Sequence, residues 1–180
     1  MSQATTTNPA VDSSIFQFCT KQQVRVLKNL QEILKKGAEY ADHKKFQMEV
    51  LLQARLAPDQ FPLMRQIQIA CDTAKFNAAR FTGTTAPSHP DEEKTLAEAM
   101  ARIDSVIQYL MGFKDTDFSG ASQRKITNAR WESKWMTGED FFHQYAAPNV
   151  YFHVTTAYAI LRHNGVDIGK KAYLGDLSFQ

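Results

Sequence analysis

The stretch that decides the fold is PNVYFHVTTAYAILRHNG, residues 148–165. Its apolar side chains recur at the spacing of one helix face, and Gly165 is a favourable residue just past a helix C-terminus. One histidine, His153, lies within the apolar stripe formed by Val150, Val154, Ala157, Ile160 and Leu161. The stretch therefore predicts an amphipathic helix that directs an imidazole toward the protein interior.

Three other segments show the same helical periodicity. The first begins near Ser13-Ser14 and runs to about Tyr40, and the second begins near Pro62, continues to Phe81 and ends at Gly83. The third covers about Asp91–Phe113, with acidic residues in its first turn, where the helix dipole favours them. The fourth helix extends from about Gly138 to Asn164, and we predict a kink or break just before Pro148.

The remaining segments connect or flank these four helices. We predict a flexible tail over residues 1–13, a connector over 41–61 with a short helical piece (Gln47–Arg55), and an extended tail over 166–180. Residues 114–137 contain aromatic and β-branched residues around a polar turn and predict a small β-hairpin. The pattern as a whole predicts a single all-α domain over residues 14–180, a four-helix bundle with the hairpin between helices 3 and 4.

Composition excludes several broad classes. The net charge of +2 over 180 residues gives no global field for nucleic acid or for an anionic membrane. Met1–Ser14 lacks the features of a signal peptide, and no apolar run approaches the roughly 18 residues that span a bilayer. Cys19 and Cys71 match no metal-binding or redox spacing. We therefore expect a soluble cytoplasmic protein.

Two long motifs resemble a known family. The first is ARLAPDQFPL at residues 54–63, continuing through QIQIA (66–70) to DTAK (72–75), and the second is the stretch at residues 148–165. Together they resemble an uncharacterised bacterial family within the DinB-like (YfiT-like) superfamily, over roughly residues 14–175. The resemblance implies an up-down-down-up four-helix bundle that is often a homodimer. Many superfamily members bind a divalent metal through three histidines, and some use it in thiol-dependent transferase or hydrolase chemistry.

The sequence departs from this metal pattern. His153 stands where the first histidine of the H-x-x-x-H pair is expected, but Ala157 occupies the second position. The second helix contains no histidine, and its nearest polar candidates are Gln66, Gln68 and Asp72. The sequence therefore predicts no resident metal. The alternative is a divalent ion such as Zn or Ni, held by His153 with a non-histidine ligand such as Asp72 or Gln68.

Two interpretations of His153 remain open. It is either a neutral core histidine, hydrogen-bonded to a partner such as Asp72 or a backbone carbonyl, or a ligand or general base that faces a pocket between helices. Our candidate pocket residues are His153, Asp72, Gln68, Lys75 and Thr156. Asp72 and Lys75 are spaced as an i,i+3 ion pair and could instead form a pocket rim.

Other candidates are weaker. His143, His153 and His163 are ten residues apart and too far along one helix to bind a single ion. His43 and His89 lie in predicted loops and are expected to be solvated. Cys71 lies on an apolar stripe and is expected to be inert. Trp131 and Trp135 on the hairpin suit either an interface or packing against the bundle.

Two functions follow. The first is a small-molecule-binding or structural homodimer with an incomplete metal site, and the second is a metal-dependent enzyme that uses His153.

Overall fold

The computed structural model describes residues 9–180 of the chain. Helix α1 (Pro9–Gln17) continues into α2 (Gln23–Lys44) through one wider helical turn at Phe18–Gln22. The helix therefore begins at least four residues before Ser13, so residues 9–13 do not belong to the predicted tail, whose remainder lies outside the described residues. The reason is a tertiary contact. Asp12 is buried and accepts hydrogen bonds from the backbone N–H groups of Gly120 (2.8 Å) and Ser122 (2.7 Å).

Two further helices follow α2. Helix α3 (Met48–Gln53) corresponds to the predicted helical piece of the connector. Helix α4 (Leu63–Thr82) begins directly after Pro62 and ends at Gly83, whose φ of 74° is the left-handed conformation that glycine adopts readily. The prediction for this helix is confirmed at both ends.

Helix α5 (Leu96–Met111) begins later than the predicted Asp91. Thr95 and Glu98 form a capping box, in which each side chain satisfies a backbone N–H group of the other residue. Asp91 and Glu93 therefore do not lie in the first turn of a helix. They belong to the preceding connector, where both form ion pairs with Arg102.

A small hairpin separates α5 from the last long helix. Strand β1 (Ile126–Thr127) pairs antiparallel with β2 (Trp135–Met136), in the register Ile126 to Met136 and Thr127 to Trp135. Short 3₁₀ turns at Asp115–Phe118, Ala121–Gln123 and Ala129–Trp131 surround the two strands. The predicted hairpin is present, with strands of two residues each.

The last long helical segment has three parts. Helix α6 (Gly138–Phe141) leads through a wider turn at Phe142–Ala146 into α7 (Ala147–His163). The irregularity lies just before Pro148, as predicted, because a proline inside a helix has no N–H group to donate. A short helix, α8 (Lys170–Leu174), replaces part of the predicted extended tail and packs on α2, where Asn29 Nδ2 donates to the Tyr173 carbonyl (3.0 Å).

The core lies between the long helices. Helix α4 packs against α5 and α7, and α2 packs against the same two helices. One continuous cluster of buried apolar side chains extends from Ile15 to Ile168. The protein thus has a mostly helical, all-α fold with a small two-stranded sheet. Within residues 9–180, no helix is both long enough and apolar enough to cross a membrane.

Candidate functional site

A cleft of about 330 Å³ runs along one face of α4. We call it the α4 cleft. Helix α4 contributes side chains spaced by one, three or four residues, which places them on one side of the helix. The hairpin, the α6–α7 segment and the residue before Pro62 supply the rest. The lining consists of Arg65, Ile69, Asp72, Thr73, Phe76 and Arg80 from α4, with Phe61, Asn128, Arg130, Tyr145 and Asn149 around them.

Arg80 is a half-buried cation in the wall of the α4 cleft. Its guanidinium lies over the ring of Phe76 (5.4 Å) and over the ring of Phe141 (5.8 Å). Within residues 9–180, the Arg80 side chain has neither a carboxylate nor a hydrogen-bond acceptor. Burial lowers the pKa of Arg80, and the phenol of Tyr145 only partly offsets that effect. The side chain is therefore a half-buried cation packed against two aromatic rings, and its N–H groups have no protein acceptor in the described structure.

Three neighbouring groups also have N–H or O–H groups to donate. The Arg130 guanidinium and the Tyr145 hydroxyl form no hydrogen bond with any side chain or backbone group in the described region. Asn128 accepts a hydrogen bond from the Arg130 backbone N–H through its side-chain oxygen (3.1 Å), which leaves its amide NH₂ unused. Asn149 Nδ2 donates to Thr73 Oγ1 (3.1 Å). The free polar atoms around Arg80 are thus mostly donors.

Asp72, the one acid of the α4 cleft, is already paired twice. Its Oδ1 lies 2.9 Å from Lys75 Nζ and 2.7 Å from Arg102 Nη2. The side chains of Lys75 and Arg102 are only 2% and 1% exposed, so these ion pairs are largely shielded from solvent. Lys75 Nζ also contacts His89 Nδ1 (2.9 Å). The negative charge of Asp72 is therefore neutralised by Lys75 of α4 and Arg102 of α5.

Arg102 connects this pair to the connector before α5. It contacts Glu93 (2.9 Å) and Asp91 (3.0 Å) in addition to Asp72, and Asp91 also pairs with Arg65. Burial alone would raise the pKa of Glu93, but hydrogen bonds from Arg102, from the backbone and from Gln68 hold it below its ordinary value. Burial also tends to raise the pKa of Asp91, and the two arginines lower it more. The network therefore keeps Asp91 and Glu93 ionised.

His153 is buried on α7, and its partner is Gln66. Nδ1 of His153 lies 2.8 Å from Gln66 Oε1. Gln66 Nε2 donates to the Phe61 carbonyl (3.1 Å), so its oxygen faces the ring and the imidazole Nδ1–H is the donor. Burial lowers the pKa of His153, and the nearby Arg65 lowers it further. His153 is thus a neutral histidine whose hydrogen-bond partner is neither Asp72 nor a backbone carbonyl.

The predicted pocket residues do not all converge. Asp72 lines the α4 cleft, whereas Lys75 lies behind it in the ion-pair network. Gln68 faces the same network, donating to Glu93 (2.8 Å) and accepting from Arg65 (3.1 Å). Thr156 donates to the Phe152 carbonyl of its own helix (2.7 Å).

The other histidines lie apart from this site, and one differs from its prediction. His89 is half-buried rather than solvated, because it contacts Lys75 Nζ and Ser105 Oγ (both 2.9 Å). His43, His143 and His163 are exposed. Cys71 is buried as predicted, and burial raises its pKa to about 12, so the thiol is inert.

The two tryptophans of the hairpin have different environments. Trp131 packs against Phe141 (6.0 Å) and Tyr145 (5.4 Å), so it supports the wall of the α4 cleft. Trp135 is 52% exposed, with Lys125 Nζ over its ring at 5.1 Å. The packing interpretation therefore holds for Trp131 and not for Trp135.

The residues do not fit the three-histidine metal site that the resemblance implied. His153 is the only imidazole at the three positions, and Ala157 has no ligand atom. Asp72 Oδ1 is taken up by Lys75 and Arg102. Across the described part of the chain, no group of three or more His, Cys, Asp or Glu side chains is placed to hold a metal ion.

The site residues that the sequence did not reveal are Arg80, Arg130, Tyr145, Asn128 and Asn149. Arg80 carried one readable signal, since it stands four residues after Phe76 and eight after Asp72 on the same helix face. The others come from separate segments, which meet α4 only through tertiary packing.

The similarity of this fold to a solved structure identifies a protein of the DinB class. The structure is similar to a crystal structure of a DinB family member protein from Shewanella denitrificans, with a TM-score of 0.93 and 50% sequence identity. The similarity covers 96% of this chain and 98% of that one. A comparison with curated proteins found no match.

A protein-family model also matches the chain. The model described as a domain of unknown function, DUF1993, matches residues 15–174. The chain belongs to this family.

Proposed function

We propose that this protein binds a small organic molecule in the α4 cleft without a resident metal. The observation that carries the proposal is Arg80, a half-buried cation without an acceptor in the described structure, at the wall of a cleft of about 330 Å³. Ligand sites typically combine apolar walls with a few convergent polar groups, in volumes of roughly 300–1,000 Å³. Ile69, Phe61 and Phe76 supply the apolar walls here.

The proposed architecture is a single-domain, up-down-down-up four-helix bundle formed by α1–α2, α4, α5 and α6–α7. The packing of α4 and of α2 against both α5 and α7, and one continuous core, support this arrangement. We also propose that the protein is cytoplasmic, because Cys19 and Cys71 are both free and buried.

The alternative, a thiol-dependent transferase or hydrolase that uses metal-bound His153, has less support. His153 is the only histidine present at the three expected positions, and the predicted co-ligand Asp72 is paired with two cations. Metal analysis of protein purified without an affinity tag tests this alternative. A stoichiometric divalent ion that disappears in His153→Ala would favour the enzyme and overturn the metal-free proposal.

Blocking the cleft tests ligand binding directly. Ile69→Trp places a large side chain in the α4 cleft, and Val50→Trp is the matched control, because Val50 is 61% exposed on α3 and outside the cleft. Ligand-observed NMR with a small-molecule collection should identify molecules that bind the wild type. The same molecules should bind Val50→Trp but not Ile69→Trp. If every binder is retained by Ile69→Trp, the cleft is not the site.

We also propose that two copies of the chain form a homodimer. The resemblance implies this state, and several large apolar side chains are exposed on the single chain, among them Phe152 (57%) and Trp135 (52%). Light scattering after size-exclusion chromatography should give about twice the 20.4 kDa mass of the chain. A mass equal to one chain at micromolar concentration would contradict it.

A further inference from the structure

We propose that the α4 cleft selects an organic anion, a small carboxylate or phosphate ester whose charged group is held by Arg80 and Arg130. The apolar part of the ligand would lie toward Phe61 and Ile69. This inference rests on the proposed function and names the chemical class of its ligand.

The charge balance of the α4 cleft is the first observation that favours an anion. Its lining contains three arginines and one acid. Arg65 pairs with Asp91, and Asp72 pairs with Lys75 and Arg102. Arg80 and Arg130 have no acidic partner within residues 9–180, so the cleft retains an excess of positive charge. A half-buried cation without a counter-charge favours an accompanying anion.

The geometry of Arg80 carries the second step. The rings of Phe76 and Phe141 hold its guanidinium at centroid distances of 5.4 and 5.8 Å. A guanidinium fixed in this way loses little freedom when it binds a carboxylate or phosphate through two parallel hydrogen bonds. The side chain is thus oriented before any ligand arrives.

The polarity of the neighbouring groups carries the third step. The Tyr145 hydroxyl, the Asn128 amide NH₂ and the Arg130 guanidinium line the same cleft and have no acceptor within the described region. A ligand that brings several acceptor oxygens satisfies these donors, whereas an ammonium group adds donors and positive charge. Asp72 does not offer a counter-site for a cation, because Lys75 and Arg102 already neutralise it.

Two pairs of probes that share a phenyl ring and differ in the polar group test the selectivity. Benzoate is compared with benzamide, and phenyl phosphate with benzylammonium, by isothermal titration calorimetry on the full chain at low ionic strength. At least one of the two anions should bind the wild-type protein, with benzamide about tenfold weaker or more and benzylammonium not measurable. The difference follows from the strength of charge-assisted hydrogen bonds.

Four variants locate the recognition. Arg80→Gln should weaken anion binding about tenfold or more, since it removes the charge and the two-pronged donor. Arg80→Lys keeps the charge without the planar guanidinium, and its affinity for the anion should lie between those of Arg80→Gln and wild type. Arg130→Gln alters an exposed residue and should weaken binding with an unchanged fold. Arg162→Gln is the charge-matched control, because Arg162 is exposed on α7 outside the cleft, and it should bind as wild type does.

The outcomes separate this inference from the proposed function. Suppose that neutral molecules or ammonium ions bind, that Ile69→Trp blocks this binding, and that neither anion binds. The cleft then binds ligands, but the anion inference is wrong. If both anions bind Arg80→Gln and Arg130→Gln as tightly as wild type, it is wrong as well. If Ile69→Trp blocks no molecule at all, the proposed function itself fails. Should Arg80→Gln unfold, as circular dichroism would show, Arg130→Gln and Arg80→Lys still decide the question.

Discussion

The amide of Gln66 fixes the chemistry available to His153. It accepts from the imidazole Nδ1–H and donates to the Phe61 carbonyl, so one side chain orients the ring and anchors the segment before α4. Because the buried Nδ1–H donates to a fixed acceptor, the imidazole of His153 keeps this tautomer. The lowered pKa of His153 keeps the ring neutral. His153 is therefore held as a neutral imidazole in which Nδ1–H is the donor.

Gln66→Leu should destabilise the protein by about 1–3 kcal/mol, because it leaves both the His153 Nδ1–H and the Phe61 carbonyl without a partner. Urea unfolding measures the free-energy change. The matched double variant Gln66→Leu/His153→Phe also removes the orphaned imidazole. Its loss in free energy of unfolding should be smaller than the sum of the losses in the two single variants. Strictly additive losses would contradict the pairing of these two side chains.

The sequence located His153 and its burial, because the apolar stripe at residues 148–165 could be read directly. It did not identify Gln66 as the partner, since the contact joins residues 87 positions apart. The same limit applies to Arg80. Its helix face was readable, but the approach of Asn128 depends on how the hairpin docks, and that of Tyr145 on how the α6–α7 segment packs.

At the scale of elements, the start of α5 shows how tertiary contacts outweigh a local signal. Three consecutive acids at residues 91–93 favour a helix N-terminus, yet Arg65 and Arg102 bind Asp91 and Glu93 in the connector. Thr95 and Glu98 were present in the sequence as a capping box, and they mark the true start. The periodicity predicted the helix, and the cap would have predicted its boundary.

Thr95→Ala should therefore cost about 0.5–2 kcal/mol, because it removes the side-chain acceptor for the Glu98 backbone N–H. Thr85→Ala is the control, since Thr85 is exposed in the preceding loop and Oγ1 has no hydrogen bond within the described region. Thermal and urea unfolding of the two variants give the comparison. Equal stability of the two variants would show that the cap does not define the start of α5.

The start of α6 requires a glycine for a different reason. A Cβ atom at Gly138 would lie 1.7 Å from the Ala121 carbonyl oxygen, so α6 can approach the 3₁₀ turn at Ala121–Gln123 only without a side chain. Gly138→Ala should destabilise the protein by about 3 kcal/mol or more, since backbone atoms must move. Gly169→Ala is the control, because the added atom meets nothing within 4 Å, and its unfolding free energy should change by less than about 1 kcal/mol. A Gly138→Ala protein as stable as Gly169→Ala would contradict this close approach.

At the scale of the whole molecule, the ion-pair network joins elements that the apolar core also joins. Asp72 and Lys75 lie on α4, Arg102 lies on α5, and Asp91 and Glu93 lie in the connector between them. The sequence predicted the Asp72–Lys75 pair from its spacing, but Arg102 is 30 residues from Asp72 and could not be paired with it from sequence alone. Removing one member of such a buried set leaves uncompensated charge, so the network links α4 to α5 electrostatically.

The network and His153 together predict how stability depends on pH. Burial lowers the pKa of His89, as do Lys75 and Arg102, while Asp72 and Glu93 partly offset the effect. Burial and Arg65 lower the pKa of His153. In the unfolded chain both histidines take up a proton near pH 6.5, whereas in the folded protein they do so at lower pH. Because the unfolded state then binds more protons, the free energy of unfolding is highest above about pH 7 and falls as the pH drops from there toward 5.

Urea unfolding at pH 8, 7, 6 and 5 should show this fall, with a slope of at most about 1.4 kcal/mol per pH unit for each histidine. His89→Gln and His153→Gln should each reduce the slope, whereas His163→Gln, at an exposed position, should leave it unchanged. A second loss should begin below about pH 4.5, where protonation removes the charges of Asp91 and Glu93, whose pKa values lie below their ordinary range. Stability that stays level from pH 8 to pH 5 in the wild type would show that neither imidazole is held neutral by its surroundings.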